Sequence, residues 1–418
     1  MSAVLGVALL GLAVVGRCLL GSWLAPGAFF ALYWSVAFVV PMAALPRDRV
    51  PASALLWVAL AVVAVYSGSA VAYRAGAVTR APVRWVPTKP ETTTLTWAML
   101  LCSGLGFGAP LIATWTVGLS VSDLLSPAAL FAVARAFSVG RYQQTYDPPA
   151  LGQVLLCFLL AAPLFGGLVA ATADRRSLRL LSVTSLLPAL AVTLTQTQRA
   201  VTLAGMVLWV ASYLAGKVAC GAERLFTRRH LAAGMASGIA FVALSFLAGW
   251  ARLGTLEREV LQDVAPKVVG AAGGHASIFG RWFETHALGD AAPGWGVYTF
   301  AGAFDKLGLG HRKPGIFEES LFLDSGDESN VYTLFRSLIE DFTVPGAIAV
   351  LSLVGILGGA AHLQVRNGRI AAITVLAGFY SWTVFGFAGS IWAYNSVIAA
   401  FLICGAVLWR LETRVGRA

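Results

Sequence analysis

The sequence predicts an all-α integral membrane protein with about eleven transmembrane helices and one large loop outside the membrane. Three observations predict this class. Of the 418 residues, 58% are hydrophobic and 12% are charged, which is about half the charge of a soluble protein. Apolar runs of about 20 residues, the length that crosses a bilayer, recur along the chain. The runs are continuous, whereas the strands of a membrane barrel alternate over about 10 residues.

A long polar stretch divides the predicted spans into two groups. The spans are 3–20, 24–45, 52–73, 94–118, 149–170, 179–197, 200–218 and 231–250 before it, and 343–362, 369–388 and 390–410 after it. We therefore expect spans 1 to 8 within residues 1–250, a large loop over 251–342, and spans 9 to 11 with a cytoplasmic tail over 343–418. No cleavable signal peptide is expected, because no basic residue precedes Arg17.

The basic residues predict which side of the membrane each loop faces. Sixteen Lys and Arg residues lie in the short loops of one side, and five lie in those of the other: Arg47, Arg49, Arg135, Arg141 and Arg199. Short cytoplasmic loops carry the excess of Lys and Arg, so the larger set is cytoplasmic and the loop 251–342 faces outward. The formal charge of +10 is explained by these loops, and nucleic-acid binding is not expected.

The cysteines and one glycine-rich run are interpreted as packing features. The five cysteines lie in or beside apolar runs, with neither a metal-ligand spacing nor a disulfide framework: Cys18, Cys102, Cys157, Cys220 and Cys404. The run 103–108 lies within a span with no strand before it, which favours close helix packing over a phosphate loop. No metal site and no cofactor is predicted, since no pair has a zinc spacing such as HExxH.

The predicted spans carry essentially no charge. Proton- or ion-coupled transporters usually keep acidic, basic or His residues at mid-membrane. We therefore expect chemistry at the outer membrane surface rather than transport through the bundle.

Two outer hairpins carry arginines. Arg135 and Arg141 are open to two interpretations, as interfacial anchors or as ligands of an anionic lipid headgroup. Arg199 follows the polar run 193–198, which includes Gln198. An arginine that only reaches towards the headgroups needs no such neighbours, so we favour a functional role for Arg199.

The segment after Asn330 predicts an amphipathic helix. Apolar residues recur at helical spacing from Val331 to Phe342, and Asn330 is a good N-cap. Arg336 and Glu340 lie four residues apart on another stripe, and such a pair contributes about 0.3–0.5 kcal/mol when exposed. Two interpretations remain, an interfacial helix or a catalytic helix across the mouth of the bundle.

A motif in this segment resembles the signature of the bacterial oligosaccharide repeat-unit polymerases, the Wzy-type O-antigen and capsule polymerases. It reads N-V-Y-T-L-F-R from Asn330 to Arg336 and continues with Asp341-Phe342. Family members often read N-x-Y-T-x-x-R with D-F-G-x-x-G soon after, and Thr343 stands where that glycine is usual. Arg199 before the large loop and the aromatic, Gly-rich segment 296–309 also look like the family.

The resemblance implies a GT-C-like membrane glycosyltransferase of the bacterial inner membrane that serves polysaccharide biosynthesis, such as that of lipopolysaccharide, at the periplasmic face. The donor would be a glycan on undecaprenyl pyrophosphate, and the acceptor a repeat unit on the same lipid. Partners would be these lipid-linked glycans and the bilayer. The resemblance also allows a chain-length-regulating membrane protein as a partner.

The resemblance also assigns roles to residues. The departing pyrophosphate gathers negative charge, which preorganised arginine forks stabilise. This assigns Arg199 and Arg336 to the pyrophosphate, with Arg135, Arg141 and Arg281 in support. The substrate-binding assignment includes Gln198, Asn330, Tyr332 and Thr333. The candidates for the base that activates the acceptor hydroxyl are His275, Glu284, His286, Glu318, Glu319 and Asp341.

Three other functions stay open. An O-antigen ligase moves the finished glycan to the lipid A core and shares the overall plan, but the motif from Asn330 to Asp341 favours a polymerase. A flippase or exporter of lipid-linked sugars usually lines a central cavity with charge. A non-catalytic membrane scaffold would leave the Arg199 cluster and the motif without explanation.

Overall fold

A computed structural model describes most of the chain. The described residues are 2–45, 48–76, 83–118, 126–143, 149–222, 227, 234, 238–240, 242–249, 273–287, 289, 292–310, 317, 319–324, 326 and 328–415.

The described part of the chain is largely helical. In chain order, the α-helices are α1 (Ser2–Leu20), α2 (Pro26–Ala44), α3 (Ala52–Ala75), α4 (Lys89–Thr116), α5 (Pro127–Tyr142), α6 (Ala150–Thr172), α7 (Arg176–Val183), α8 (Leu187–Gln196), α9 (Arg199–Ala219), α10 (His275–His286), α11 (Ala301–Lys306), α12 (Leu334–Arg366), α13 (Ala372–Phe385) and α14 (Asn395–Val415). Residues 238–240 and 242–249 are helical as well. Two short strands, β1 (Leu321–Phe322) and β2 (Glu328–Ser329), form an antiparallel pair.

Within the described residues, eight helical stretches are long and apolar enough to cross a membrane. They are α2, α3, α4, α6, the stretch Arg176–Gln196, α9, α12 and α14. The apolar helices Val4–Leu20 and Ala372–Ala388 are shorter. The all-α membrane class is therefore confirmed. The count of eleven stays a prediction, and the eighth predicted span, 231–250, lies partly outside the described residues.

The last two predicted spans differ from the helices observed. Helix α13 passes into a 3-10 turn at Gly386–Ala388, a second 3-10 turn follows at Ile391–Ala393, and α14 begins only at Asn395. Between the two turns, Gly389 has φ 120°, a conformation that favours glycine. The composition remains apolar through both turns, so hydropathy alone did not reveal this break.

The chain forms two compact units. The first comprises Met1–Trp85, Gly221–Glu223 and Val269–Asn395, and the second comprises Val86–Cys220, Arg224–Val268 and Ser396–Ala418.

In the first unit, α3 and α12 pack backbone against backbone. A Cβ atom added to Gly355 would lie 2.2 Å from the Val65 carbonyl oxygen, and one added to Gly68 would lie 2.0 Å from the Ser352 carbonyl oxygen. The Ser69 hydroxyl donates to the Gly355 carbonyl at 3.1 Å. Small residues permit this approach, as is common between membrane helices.

A buried histidine between α3 and α12 contradicts the expectation that the spans carry no ionisable groups. His362 of α12 is 2% exposed, and its Nδ1 lies 2.6 Å from the Tyr73 hydroxyl of α3. It stands one turn before Arg366, the last residue of the helix. The residue is therefore near a helix end rather than at the middle of the span.

In the second unit, α4 packs closely on α6. A Cβ atom on Gly106 would lie 2.7 Å from the Leu159 Cα atom, so the glycine-rich run 103–108 serves helix packing, as predicted. Cys102 and Cys404 are buried in this unit. Cys18, which lies in the first unit, is exposed, so the packing interpretation does not fit it.

Helix α12 corrects the predicted amphipathic helix. Its N-cap is Thr333, whose side chain makes no capping hydrogen bond, and Asn330 is exposed and precedes the helix. The first two turns of α12 are buried on nearly all sides, not only along one stripe. Thr343 then interrupts the helical backbone with φ 63° and ψ 172°. The break between the two predicted helices is thus real, and it lies at Thr343.

Candidate functional site

The first two turns of α12 bury two charged side chains in the first unit. Arg336 is 6% exposed and Asp341 is 0% exposed. Taking a charge out of water costs several kcal/mol unless partners compensate. The partners of these two side chains therefore define the candidate site.

Two carboxylates hold the Arg336 guanidinium. Its Nε donates to Glu340 Oε1 at 2.7 Å, and its Nη2 donates to Glu319 Oε2 at 2.9 Å. Glu340 lies one turn further along α12, whereas Glu319 comes from the segment before β1. The buried Nη1 atom has no hydrogen-bond partner among the described residues. One donor nitrogen of a buried arginine is thus without a hydrogen-bond partner.

Aromatic rings enclose the same guanidinium. The Arg336 Cζ atom lies 4.0 Å from the ring centroid of Tyr332, 4.1 Å from that of Phe317 and 5.0 Å from that of Trp282. Cation–π contacts are strongest where water is excluded. The rings therefore stabilise a buried charge and fix the guanidinium plane.

Two tyrosines hydrogen-bond the two glutamates, one at a carboxylate and one at a backbone carbonyl. The Tyr298 hydroxyl hydrogen-bonds the Glu340 carboxylate, and burial together with the charge of Glu340 raises the pKa of Tyr298. The phenol accordingly remains a donor at neutral pH. The Tyr332 hydroxyl donates to the Glu319 backbone carbonyl at 3.1 Å. Burial raises the pKa of Tyr332, and the positive charge of Arg336 offsets part of this rise.

Asp341 organises a turn. Its carboxylate accepts the backbone N–H of Tyr298 at 3.0 Å and of Thr299 at 2.7 Å. Its backbone carbonyl accepts the N–H of Trp295 at 2.9 Å, and the neighbouring Glu340 carbonyl accepts that of Gly294 at 2.9 Å. A fully buried carboxylate that accepts backbone N–H groups suits a positioning residue better than the base that was one of its predicted roles.

Glu319 is the accessible carboxylate of the cluster. Its side chain is 38% exposed, and its Oε1 lies 3.9 Å from His286 Nε2. The Thr285 hydroxyl lies 2.6 Å from His286 Nδ1. A path of side chains therefore leads from the exposed surface through His286 and Glu319 to the buried Arg336. Glu318, another predicted base, lies outside the described residues.

The other residues predicted from the long loop lie outside the Arg336 cluster. Arg281 forms an ion pair with Asp324 and also donates to the Phe322 carbonyl. Glu284 is exposed and accepts from the Ser53 hydroxyl at 3.4 Å. His275 is buried, with its Nε2 atom 2.9 Å from the Ala37 carbonyl oxygen. Asn330 and Thr333 flank the start of α12, and the buried Thr333 hydroxyl has no hydrogen-bond partner among the described residues.

Four predicted residues belong to the second unit. Arg199 is the first residue of α9 and is partly buried. Before it, Thr197 adopts the left-handed conformation with φ 54°, and Gln198 Nε2 donates to Gln196 Oε1 at 3.1 Å. Arg135 is exposed on α5, and the Arg141 side chain lies outside the described residues. The joint assignment of Arg199 and Arg336 to one pyrophosphate stays a prediction.

Sequence reasoning missed four members of the cluster. Tyr298, Trp282 and Phe317 were not assigned roles, and Glu340 was considered only as half of a surface pair. The i, i+4 spacing of Arg336 and Glu340 was the available signal. No periodicity links Tyr298 or Trp282 to α12.

Comparisons with known proteins identify no relative of this chain. No family model matches the chain, and neither a curated protein nor a solved structure matches it.

Proposed function

We propose that this protein is a membrane glycosyltransferase that polymerises oligosaccharide repeat units linked to undecaprenyl pyrophosphate at the periplasmic face of the bacterial inner membrane. The observation that carries the proposal is the buried Arg336, held between Glu319 and Glu340 at the start of a helix long enough to span a membrane. Burying a charged side chain is costly, and clusters of buried ionisable groups are frequent at functional sites. The resemblance of the surrounding motif supports the reaction class.

The charges of the cluster refine the role of Arg336. Two of its nitrogens already bind carboxylates, so its positive charge is largely compensated within the protein. We assign the unpartnered Nη1 atom to an oxygen of the departing pyrophosphate. Charge that develops on that oxygen would strengthen this hydrogen bond in the transition state, which is the condition for catalysis. The carboxylates of Glu319 and Glu340 keep the guanidinium oriented before the substrate binds.

Glu319 is assigned as the base. Glu340 is held by both Arg336 and Tyr298, whereas Glu319 retains an exposed carboxylate edge. In the proposed reaction, the acceptor hydroxyl oxygen forms a bond to the anomeric carbon of the donor glycan. The bond from that carbon to the pyrophosphate oxygen breaks with its electron pair, and Glu319 takes the hydroxyl proton. Undecaprenyl pyrophosphate leaves, and the glycan grows by one repeat unit.

The substitution Glu319→Gln is expected to lower polymerisation strongly, since positioned general bases contribute about 10²–10⁴-fold to rate. Glutamine keeps the size and one acceptor oxygen for Arg336 Nη2, so membrane levels should stay near those of the wild type. The matched control is Glu328→Gln, because Glu328 is exposed on β2. Polymer length and amount in membranes from the two strains decide the assignment. Equal activity of both variants would remove Glu319 from the reaction.

Surface polysaccharide from a strain that lacks this protein tests the function itself. We expect single repeat units attached to the lipid A core, with no ladder of longer chains, on a gel. Loss of even the single attached unit, with long lipid-linked chains accumulating, would instead identify a ligase. An unchanged ladder together with unchanged capsule and exopolysaccharide would contradict the proposal.

A further inference from the structure

One segment of the first unit displays large apolar side chains to its surroundings. Trp295 is 73% exposed, Phe300 40%, Leu307 70% and Leu309 66%. The whole stretch 292–310 contains only two charged residues, Asp305 and Lys306. Scattered single apolar side chains are ordinary on a protein surface, whereas this segment, which lies outside the predicted spans, exposes four large ones within fifteen residues.

The segment is held in a defined conformation. Phe300 N donates to the Gly296 carbonyl at 2.8 Å, and Leu309 N donates to the Phe304 carbonyl at 2.9 Å. Trp295 has φ 53°, a backbone conformation that is an outlier for a bulky residue. The hydrogen bonds of Trp295, Tyr298 and Thr299 to Asp341 maintain it. The apolar side chains are therefore presented by an ordered turn, not by a loose loop.

The attachment to Asp341 fixes the level of this turn along α12. After the break at Thr343, α12 continues from Val344 to Arg366, its last residue. At about 1.5 Å per residue this length is about 33 Å, which exceeds the hydrocarbon thickness of about 30 Å. If Arg366 lies at one headgroup layer, Val344 lies at the other, and Asp341 stands three residues before Val344. Trp295, whose N–H donates to the Asp341 carbonyl, then lies near that layer too.

We propose that the segment 295–309 inserts its apolar side chains into the headgroup layer of the outer leaflet and anchors the turn to the bilayer surface. The partner of this segment is the phospholipid headgroup layer, where Trp is enriched in membrane proteins. The charges of Asp305 and Lys306 cancel, so the segment has no net charge. Its attachment therefore depends on burial of apolar side chains and not on anionic lipid. Because Tyr298 of the same turn holds Glu340, the anchor keeps the Arg336 cluster at headgroup level. This inference goes beyond the proposed reaction and does not depend on it.

Spin labels on the full-length protein test the inference. In a background without the five native cysteines, Trp295→Cys, Leu307→Cys and Leu309→Cys are labelled separately and the protein is reconstituted in phosphatidylcholine vesicles. Collision with oxygen, which concentrates in lipid, is compared with collision with a water-soluble nickel complex. Glu328→Cys, exposed on β2 of the same unit, is the aqueous control. We expect an oxygen-to-nickel accessibility ratio several-fold higher at positions 295, 307 and 309 than at 328.

Three outcomes would overturn the proposal. Ratios equal to that at 328 would place the segment in water. Labels shielded from both reagents would indicate a protein cover. Lipid exposure that arises only after phosphatidylglycerol is added would show an electrostatic attachment. Since Trp295 bears the unusual backbone conformation, labels at Leu307 and Leu309 keep the test valid if the Trp295 variant misfolds. No turnover is measured, so failure of the reaction proposal would leave this result unchanged.

Discussion

Replacing Arg336 by Lys is expected to abolish most polymerising activity while the protein remains in the membrane. Lysine preserves the positive charge but lacks the planar fork that binds two carboxylates and presents a third nitrogen. Loss of a single preorganised donor to a developing charge costs about 10²–10³ in rate, and disorder of Glu319 would add to this loss. Arg336→Ala is a poorer test, since removing one partner of a buried pair costs about 3–5 kcal/mol in stability.

The comparison variant is Arg281→Lys. Arg281 was also predicted to support substrate binding, yet it pairs with Asp324 at the surface, where ion pairs contribute about 0–1 kcal/mol. We expect Arg281→Lys to keep most of the activity and Arg336→Lys to lose it. Polymer ladders and membrane levels of both variants are the measurements. An Arg336→Lys variant as active as Arg281→Lys would exclude the fork from the mechanism.

Replacing Gly355 by Ala is expected to destabilise the first unit. The new Cβ atom would lie 2.2 Å from the Val65 carbonyl oxygen, so α3 and α12 would have to separate. Overpacking of this kind costs about 1–3 kcal/mol, and here the neighbouring atom is backbone, which cannot rotate away. The change should also disturb the Ser69 hydroxyl, which donates to the Gly355 carbonyl.

Thermal unfolding in detergent measures this effect. The control is Gly11→Ala in α1, because an added Cβ atom there meets no heavy atom within 4 Å. Its midpoint should equal or exceed that of the wild type, since alanine favours a helix over glycine by about 1 kcal/mol. Equal midpoints for the two variants would show that α3 and α12 can separate without loss.

The candidate site could be predicted in part. The motif from Asn330 to Asp341 directed attention to Arg336, and the helical repeat placed Glu340 beside it. Glu319 stood among six possible bases with nothing in the sequence to rank them. The residue type also suggested Asn330 as the N-cap, whereas Thr333 occupies that position without a side-chain capping hydrogen bond, because the N-cap position depends on where the backbone turns.

Composition and periodicity alone determined that the chain is a helical membrane protein, because a bilayer requires long apolar runs whose backbone hydrogen bonds are satisfied within each helix. Pro345-Gly346 also predicted a break between the amphipathic segment and the ninth span, and the structure places that break at Thr343. Only the tertiary structure decided that Arg336 is buried between two carboxylates and that Asp341 binds the turn at Trp295. Such contacts join residues 17 to 46 positions apart, as Arg336 joins Glu319 and Trp295 joins Asp341. Their geometry follows from packing of whole elements, which no local pattern encodes.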